Sequence, residues 1–193
     1  MNEESILRKI LYGGGVFFDI GKWLILAVIV LVLINTFWIS VFLVDGISME
    51  PNLHDNELAL MNKTHFRGED APVRGEIVVV KYPGDPKNKR YVKRVIGLPG
   101  ETLSIRKNRV FINNSALLES YLPPSLELGE DETWMLGANQ FFLMGDNREF
   151  SNDSRVFGVV EKRFFIGKVT NVLIPRFIAI DIPLYKKKTV ANK

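Results

Sequence analysis

Residues 76–97 read EIVVVKYPGDPKNKRYVKRVIG. Two runs rich in β-branched residues, 76–82 and 90–97, stand on either side of Pro83-Gly84-Asp85-Pro86. This pattern predicts two strands separated by a turn. Working outward, residues 101–105 and 109–112 flank Lys107-Asn108 and predict a hairpin. Residues 140–144 and 165–174 are further apolar runs. Between them, residues 113–134 contain Pro123-Pro124 and Glu130-Asp131-Glu132. That segment is expected to be a long excursion or lid, not a core element. No helical periodicity is sustained after residue 45, and the chain contains no internal repeat. The expectation for this part of the molecule is therefore a mainly β domain.

Upstream, residues 23–44 (WLILAVIVLVLINTFWISVFLV) carry no charge. As a helix they would extend roughly 33 Å, enough to cross a hydrocarbon core of about 30 Å. Trp23 and Trp38 would lie towards the two interfaces. The run ends Phe-Leu-Val-Asp, not in the small-x-small pattern of a cleaved leader. Arg8, Lys9 and Lys22 precede it, whereas only Lys63 follows within twenty residues, beside several acids. The bias in Lys and Arg places the N-terminus in the cytoplasm. The expected organisation is a cytoplasmic tail over 1–22, a transmembrane helix over 23–44 and an extracytoplasmic domain over 45–193. An interfacial helix interrupted at Gly13-Gly14-Gly15 would suit the tail. Lys186-Lys187-Lys188 at the other end reads as a solvated terminus, or as a contact with anionic lipid headgroups.

The composition excludes several chemistries. The 193-residue chain has no cysteine, so thiolate zinc sites, Fe–S clusters and cysteine nucleophiles are out. Its two histidines, His54 and His65, fit no metal-ligand spacing. A dispersed net charge of +3 does not make a nucleic-acid face. The expectation is no cofactor, no metal and no nucleic acid; the phospholipid membrane is one partner.

Two residues carry candidate chemistry. Ser48 lies in Gly46-Ile47-Ser48-Met49-Glu50-Pro51, just past the apolar run. Lys93 lies inside the run 90–97, where alternation puts Tyr91, Lys93 and Val95 on one face and Val92, Arg94 and Ile96 on the other. Lysine beside apolar neighbours is a candidate general base. At an unperturbed pKa near 10.4, about one amine in 2,500 is neutral at pH 7, a deficit of roughly 4.6 kcal/mol. Burial can shift a lysine by about 3–5 units, which covers that deficit. A neutral amine can then take the proton of a serine hydroxyl.

A third segment, Gly145-Asp146-Asn147-Arg148-Glu149-Phe150-Ser151-Asn152-Asp153-Ser154-Arg155, concentrates acids, amides, hydroxyls and arginines. Ser151 could hold a neutral Lys93, and Asp146 and Asp153 could pair with Arg94, Arg148 or Arg155.

Three stretches follow the apolar run in order: Ser48-Met49-x-Pro51; Tyr91-Val92-Lys93-Arg94-Val95-Ile96-Gly97-Leu98-Pro99-Gly100; and Gly145-Asp146-Asn147-Arg148 with Ser151-x-Asp153-Ser154-Arg155. Together they closely resemble bacterial type I signal peptidases, in particular the short, singly anchored Gram-positive kind. The resemblance implies a β-barrel-like Ser-Lys peptidase domain that cuts signal peptides from exported preproteins after small-x-small residues. It implies Ser48 as nucleophile, Lys93 as general base and Ser151 as the residue positioning the lysine. Asp153 and Arg155 match a structural acid–arginine pair, and the Ser48 N–H an oxyanion donor. Gly46 stands where some relatives have a hydroxyl that serves as a second donor. Phe42, Val44, Met49, Leu53, Tyr91 and Val92 resemble the residues of shallow pockets for small side chains. Asn52 replaces a usual Thr, and Glu101 a usual Asp.

Three other readings compete. A histidine hydrolase would use Ser48, His54 and Asp55. A self-cleaving repressor with a Ser-Lys site would carry a DNA-binding domain where this chain has its apolar run. A membrane-tethered assembly or binding module of the same fold, catalytically silent, would have lost Ser48 or Lys93.

Overall fold

The computed structural model describes residues 3–66, 70–82, 84–86, 89–123 and 126–183, with side chains from residue 18 onward. Pro83, Pro124 and Lys186-Lys187-Lys188 lie outside the described residues. The chain divides into two units, residues 1–39 and 40–193.

The first unit is one helix, α1 (Glu3–Phe37). It runs through Gly13-Gly14-Gly15 without the expected interruption. Phe18–Phe37 is long and apolar enough to span a membrane, with a mean hydropathy of 2.3, and it is not buried within the protein. The helix stops seven residues short of the expected end at Val44. Residues 39–43 are instead β1 (Ile39–Leu43), a strand. An uncharged run cannot mark that change, because an apolar strand and an apolar helix share the same composition.

The second unit is mainly β. After β1 come β2 (Leu58–Asn62), β3 (Ile77–Lys81), β4 (Arg90–Gly97), β5 (Thr102–Arg106) and β6 (Arg109–Ile112). They are followed by β7 (Ser115–Ala116), β8 (Glu132–Met135), β9 (Gln140–Met144), the short helix α2 (Ser154–Phe157), β10 (Val160–Glu161), β11 (Phe165–Ile174) and β12 (Ile178–Ala179). The larger sheet has the order β1-β2-β11-β3-β4-β9-β10, with β12 also on β11. It curls into a half-barrel. A second sheet has the order β7-β6-β5-β8.

The β5–β6 hairpin turns through Lys107 and Asn108, both with positive φ (48° and 57°). Two left-handed central residues give the primed turn that matches strand twist. The segment 113–134 is an excursion only in its middle. Its ends supply β7 and β8, which pair with β6 and β5, and Leu128 is buried in the core beside Ile105 and Val110.

The β3–β4 pairing is what places the lysine. Val78 lies opposite Lys93, Val80 opposite Tyr91 and Ile77 opposite Arg94. Cross-strand partners share a face, so the Lys93 face is lined by Val78, Val80, Tyr91 and Val95, all in one apolar cluster. The opposite face packs Val79 and Val92 against Met49 and Leu53.

Candidate active site

The loop carrying Ser48 is held from several sides. Gly46 has a φ of 92°, a backbone conformation that favours glycine, and its N–H donates to Asp55 Oδ1 at 2.7 Å. The Glu50 N–H donates to the Ile47 carbonyl at 3.2 Å, and the Asn52 and Leu53 N–H groups to the Met49 carbonyl at 3.0 and 2.9 Å. Met49 and Leu53, 1% and 0% exposed, sink into the core on either side of this turn. Their burial leaves Ser48 on the rim, partly exposed.

Lys93 is 2% exposed, and its Nζ lies 2.7 Å from Ser48 Oγ. Its Nζ also sits 5.7 Å from the centre of the Tyr91 ring. With a protonated lysine the ammonium donates to the hydroxyl; once the amine is neutral, the hydroxyl donates to its lone pair. Burial pushes the lysine down from 10.5 to about 8, against the opposing pull of Asp153 and Asp146 and with a smaller push from Arg155. At that value about one amine in ten is neutral at pH 7, and the deficit shrinks to about 1.4 kcal/mol.

The two carboxylates pull weakly because each is engaged elsewhere. Asp146 takes Arg94 Nε at 2.8 Å and Nη2 at 2.6 Å. It also accepts from Asn52 Nδ2 at 2.9 Å. Asp153 takes Arg155 Nε and Nη2, both at 2.9 Å, caps α2 through the Arg155 N–H, and accepts the Gly145 N–H at 2.9 Å. A bidentate guanidinium offsets most of a carboxylate's charge at a distance. Desolvation of the lysine therefore prevails.

Of the pairings open to Arg148, the structure uses none with Asp146 or Asp153. Its guanidinium grips Glu119 through Nη1 at 3.0 Å and Nη2 at 2.5 Å, while Nε donates to the Gly145 carbonyl at 3.0 Å. Burial alone would lower this guanidinium, but Glu119 outweighs it and holds the group above its ordinary value. Tyr121 joins in: its ring lies 4.2 Å from the Arg94 guanidinium carbon, and its carbonyl accepts from Asn52 Nδ2. Glu119 and Tyr121 were not among the residues singled out from the sequence. They lie in the excursion, 29 and 27 residues from Arg148, and carry no local signal.

Gly145 brings the segments together. A Cβ there would fall 2.2 Å from Ser151 Oγ and 2.4 Å from the Ser48 carbonyl oxygen. Only glycine permits so close an approach. Ser151 thus packs close to the Ser48 carbonyl across Gly145, and the expected hydrogen bond to Lys93 is not formed. Its Oγ is buried without a hydrogen-bond partner. Ser151 also lines a cleft of about 590 Å³ whose walls include Trp134, Glu130 and Glu132.

Among the six apolar candidates, Val44, Met49 and Leu53 are buried in one core cluster, with Phe42 and Val92 packed against it. Tyr91 belongs to the cluster on the lysine's face. Neither histidine is bonded to Ser48 among the described residues. His54 Nδ1 faces Arg176 Nη2 at 2.9 Å, and His65 Nε2 faces Glu76 Oε1 at 2.9 Å. Glu57 accepts the His54 N–H at 3.0 Å and Arg176 Nη2 at 2.7 Å. Burial would raise the Glu57 carboxyl, but these donors hold it below its ordinary value.

A serine hydroxyl against a desolvated amine, on a β framework, has the parts of a hydrolase that works without histidine. Comparison with known proteins gives the family. The family model described as signal peptidase, peptidase S26, matches residues 17–174. A signal peptidase I of Bacillus licheniformis is 37% identical over 82% of this chain and 89% of its own length. Another, of Bacillus amyloliquefaciens, is 35% identical over 90% and 92%. A crystal structure of a signal peptidase I from Enterococcus faecalis is similar over 52% of this chain and 97% of its own, with 31% identity and a TM-score of 0.46. The chain belongs to the S26 signal peptidase family.

Proposed function

We propose that this protein is a membrane-anchored endopeptidase that removes signal peptides from exported preproteins, with Ser48 as nucleophile and Lys93 as its general base. Membership of the family supports the substrate. The 2.7 Å contact between a buried lysine and Ser48 Oγ supports the two residues. Neutral Lys93 takes the hydroxyl proton as Ser48 Oγ attacks the scissile carbonyl. The Ser48 N–H, which makes no hydrogen bond among the described residues, faces the oxyanion. The lysine then protonates the leaving amine, and water releases the acyl group by the reverse sequence. Ser151, with its buried and unpartnered hydroxyl, supplies a partner for the neutral amine. Asp146, Arg94, Asp153 and Arg155 stiffen the wall behind it. Phe42 and Val92 make a shallow floor for small side chains, with Val44, Met49 and Leu53 behind it, and Tyr91 adds an apolar wall on the lysine's face.

The test is cleavage of a preprotein bearing Ala-x-Ala by the purified chain in detergent. Ser48→Ala should be inert, while His54→Ala and His65→Ala should process at close to the wild-type rate. A folded but inactive His54→Ala would transfer the base to histidine, and an inert wild type would leave a silent module.

The apolar helix fits a membrane anchor. The proposed arrangement is N-terminus inside and residues 45–193 outside, with the span ending near Phe37. Protease added to intact protoplasts should degrade the large domain and spare the N-terminal tail. Protection of the domain would reverse the orientation.

A further inference from the structure

The proposed mechanism uses the Ser48 N–H as an oxyanion donor, and Gly46 supplies no side-chain donor to help it. What holds that N–H in direction therefore matters. The Ser48 N–H and the Ile47 carbonyl belong to one planar trans peptide and point in opposite directions. Whatever fixes the carbonyl fixes the N–H.

The Ile47 carbonyl has two donors. One is the Glu50 N–H at 3.2 Å, inside the same turn, which moves with the loop. The other is Asn147 Nδ2 at 3.1 Å. Asn147 lies three residues past the end of β9, in the segment that carries Asp146 and Arg148. Asp146 is locked to Arg94, the residue after Lys93. The Asn147 amide thus ties the plane of the 47–48 peptide to the strand that carries the lysine. Its own backbone N–H donates to the Ser48 carbonyl at 3.1 Å, which holds the next peptide whatever side chain stands at 147.

We infer that Asn147 is a positioning residue of the reaction: its side-chain amide orients the Ser48 N–H towards the oxyanion. This inference rests on Ser48 being the nucleophile. The amide does not touch the reacting atoms and does not adjust the base.

The test compares Asn147→Ala and Asn147→Asp with the wild type. Asp keeps the shape and removes the donor, and both variants retain the backbone bond to Ser48. Each should lower kcat by ~10–100-fold, less than the ~10²–10³ of deleting an oxyanion donor outright. KM should stay within about twofold, since substrate contacts are unchanged. The acid limb of the pH profile should stay in place in Asn147→Ala, which adds no charge near Lys93, whereas the new carboxylate of Asn147→Asp should move it to higher pH.

A second measurement separates orientation from general loosening. A peptide aldehyde ending in Ala-x-Ala adds Ser48 Oγ to its carbonyl carbon; the hydroxyl proton passes to Lys93 and the carbonyl oxygen becomes the oxyanion. Its affinity should fall by the same factor as kcat, while that of the corresponding peptide alcohol, which forms no oxyanion, should not change. Wild-type kcat in both variants, beside an inert Ser48→Ala, overturns the role of Asn147 alone. Equal losses for aldehyde and alcohol also overturn it. Continued processing by Ser48→Ala overturns the assignment of the nucleophile instead.

Discussion

Lys93→Met is expected to abolish processing and, at pH 7, to raise the thermal stability of the protein. The two effects share one cause. The Lys93 side chain is 2% exposed, and burial lowers it from 10.5 to about 8. Below pH 8 the lysine is protonated in both folded and unfolded chains, and the folded state carries the cost of a buried ammonium. At 1.36 kcal/mol per unit that cost is about 3 kcal/mol. Between about 8 and 10.5 the unfolded chain binds more protons than the folded one, so wild-type stability rises with pH. Above 10.5 both states are neutral and the penalty is gone. Methionine fills similar space without the charge, so its advantage should be a few kcal/mol at pH 7 and should vanish as pH climbs through this window.

Activity moves the other way. Without an amine the hydroxyl proton has no acceptor, and kcat should fall at least ~10³-fold, as when a member of a catalytic set is removed. Lys93→Arg should be as inactive, because guanidinium stays protonated, but without the gain in stability. Wild-type kcat/KM should rise with pH until about 8 as the base is freed. Thermal melts at pH 7 and 10, with initial rates on a preprotein, read both effects. A Met variant less stable than wild type at pH 7 would show that Lys93 is not held at a cost.

The residues that sequence reading found, and those it missed, differ in one physical respect. Strand alternation placed Lys93 among Tyr91 and Val95, and the structure adds Val78 and Val80 across the sheet on the same face. The Lys107-Asn108 turn was readable from the strand-like runs on either side of it, and Asn108 suits the left-handed backbone found there. These are local properties. The partner of Arg148 was not local: Asp146 and Asp153 were nearer in sequence, but Glu119 arrives from the excursion. Charge counts name the groups able to pair and leave the pairing to the fold. The same holds for Arg176, which reaches back to Glu57. The helix end was missed for another reason. Residues 38–44 are as apolar as those before them, and the change to β1 registers only in backbone hydrogen bonds. Ser151 was expected to meet Lys93, yet a hydroxyl can rotate to any nearby group, and sequence cannot fix which one it meets.

The second large effect is expected at Asp146. Arg94 and Asp146 are each almost fully buried (2% and 1% exposed). Asp146→Asn keeps the volume but leaves Arg94 with the Gly75 carbonyl and the Tyr121 face as its named support. Breaking a buried ion pair by removing one partner costs ~3–5 kcal/mol, a large share of the ~5–15 kcal/mol that holds a domain folded. The fall in melting temperature should far exceed that of Asn52→Ala, which removes one hydrogen bond to the same carboxylate and one to the Tyr121 carbonyl. Charge also reaches the base. Asp146 raises Lys93, so its loss disfavours the ammonium. The pH at which kcat/KM levels off should therefore move below 8 in whatever fraction of Asp146→Asn remains folded. The double variant Arg94→Met with Asp146→Leu separates the two consequences. Removing both charges together should recover most of the lost stability, because a buried pair replaced by apolar groups of similar size is close to neutral. It should also leave Lys93 without the pull of Asp146. If the single and double variants melt at the same temperature, the cost comes from lost packing around Asp146 and not from the orphaned guanidinium.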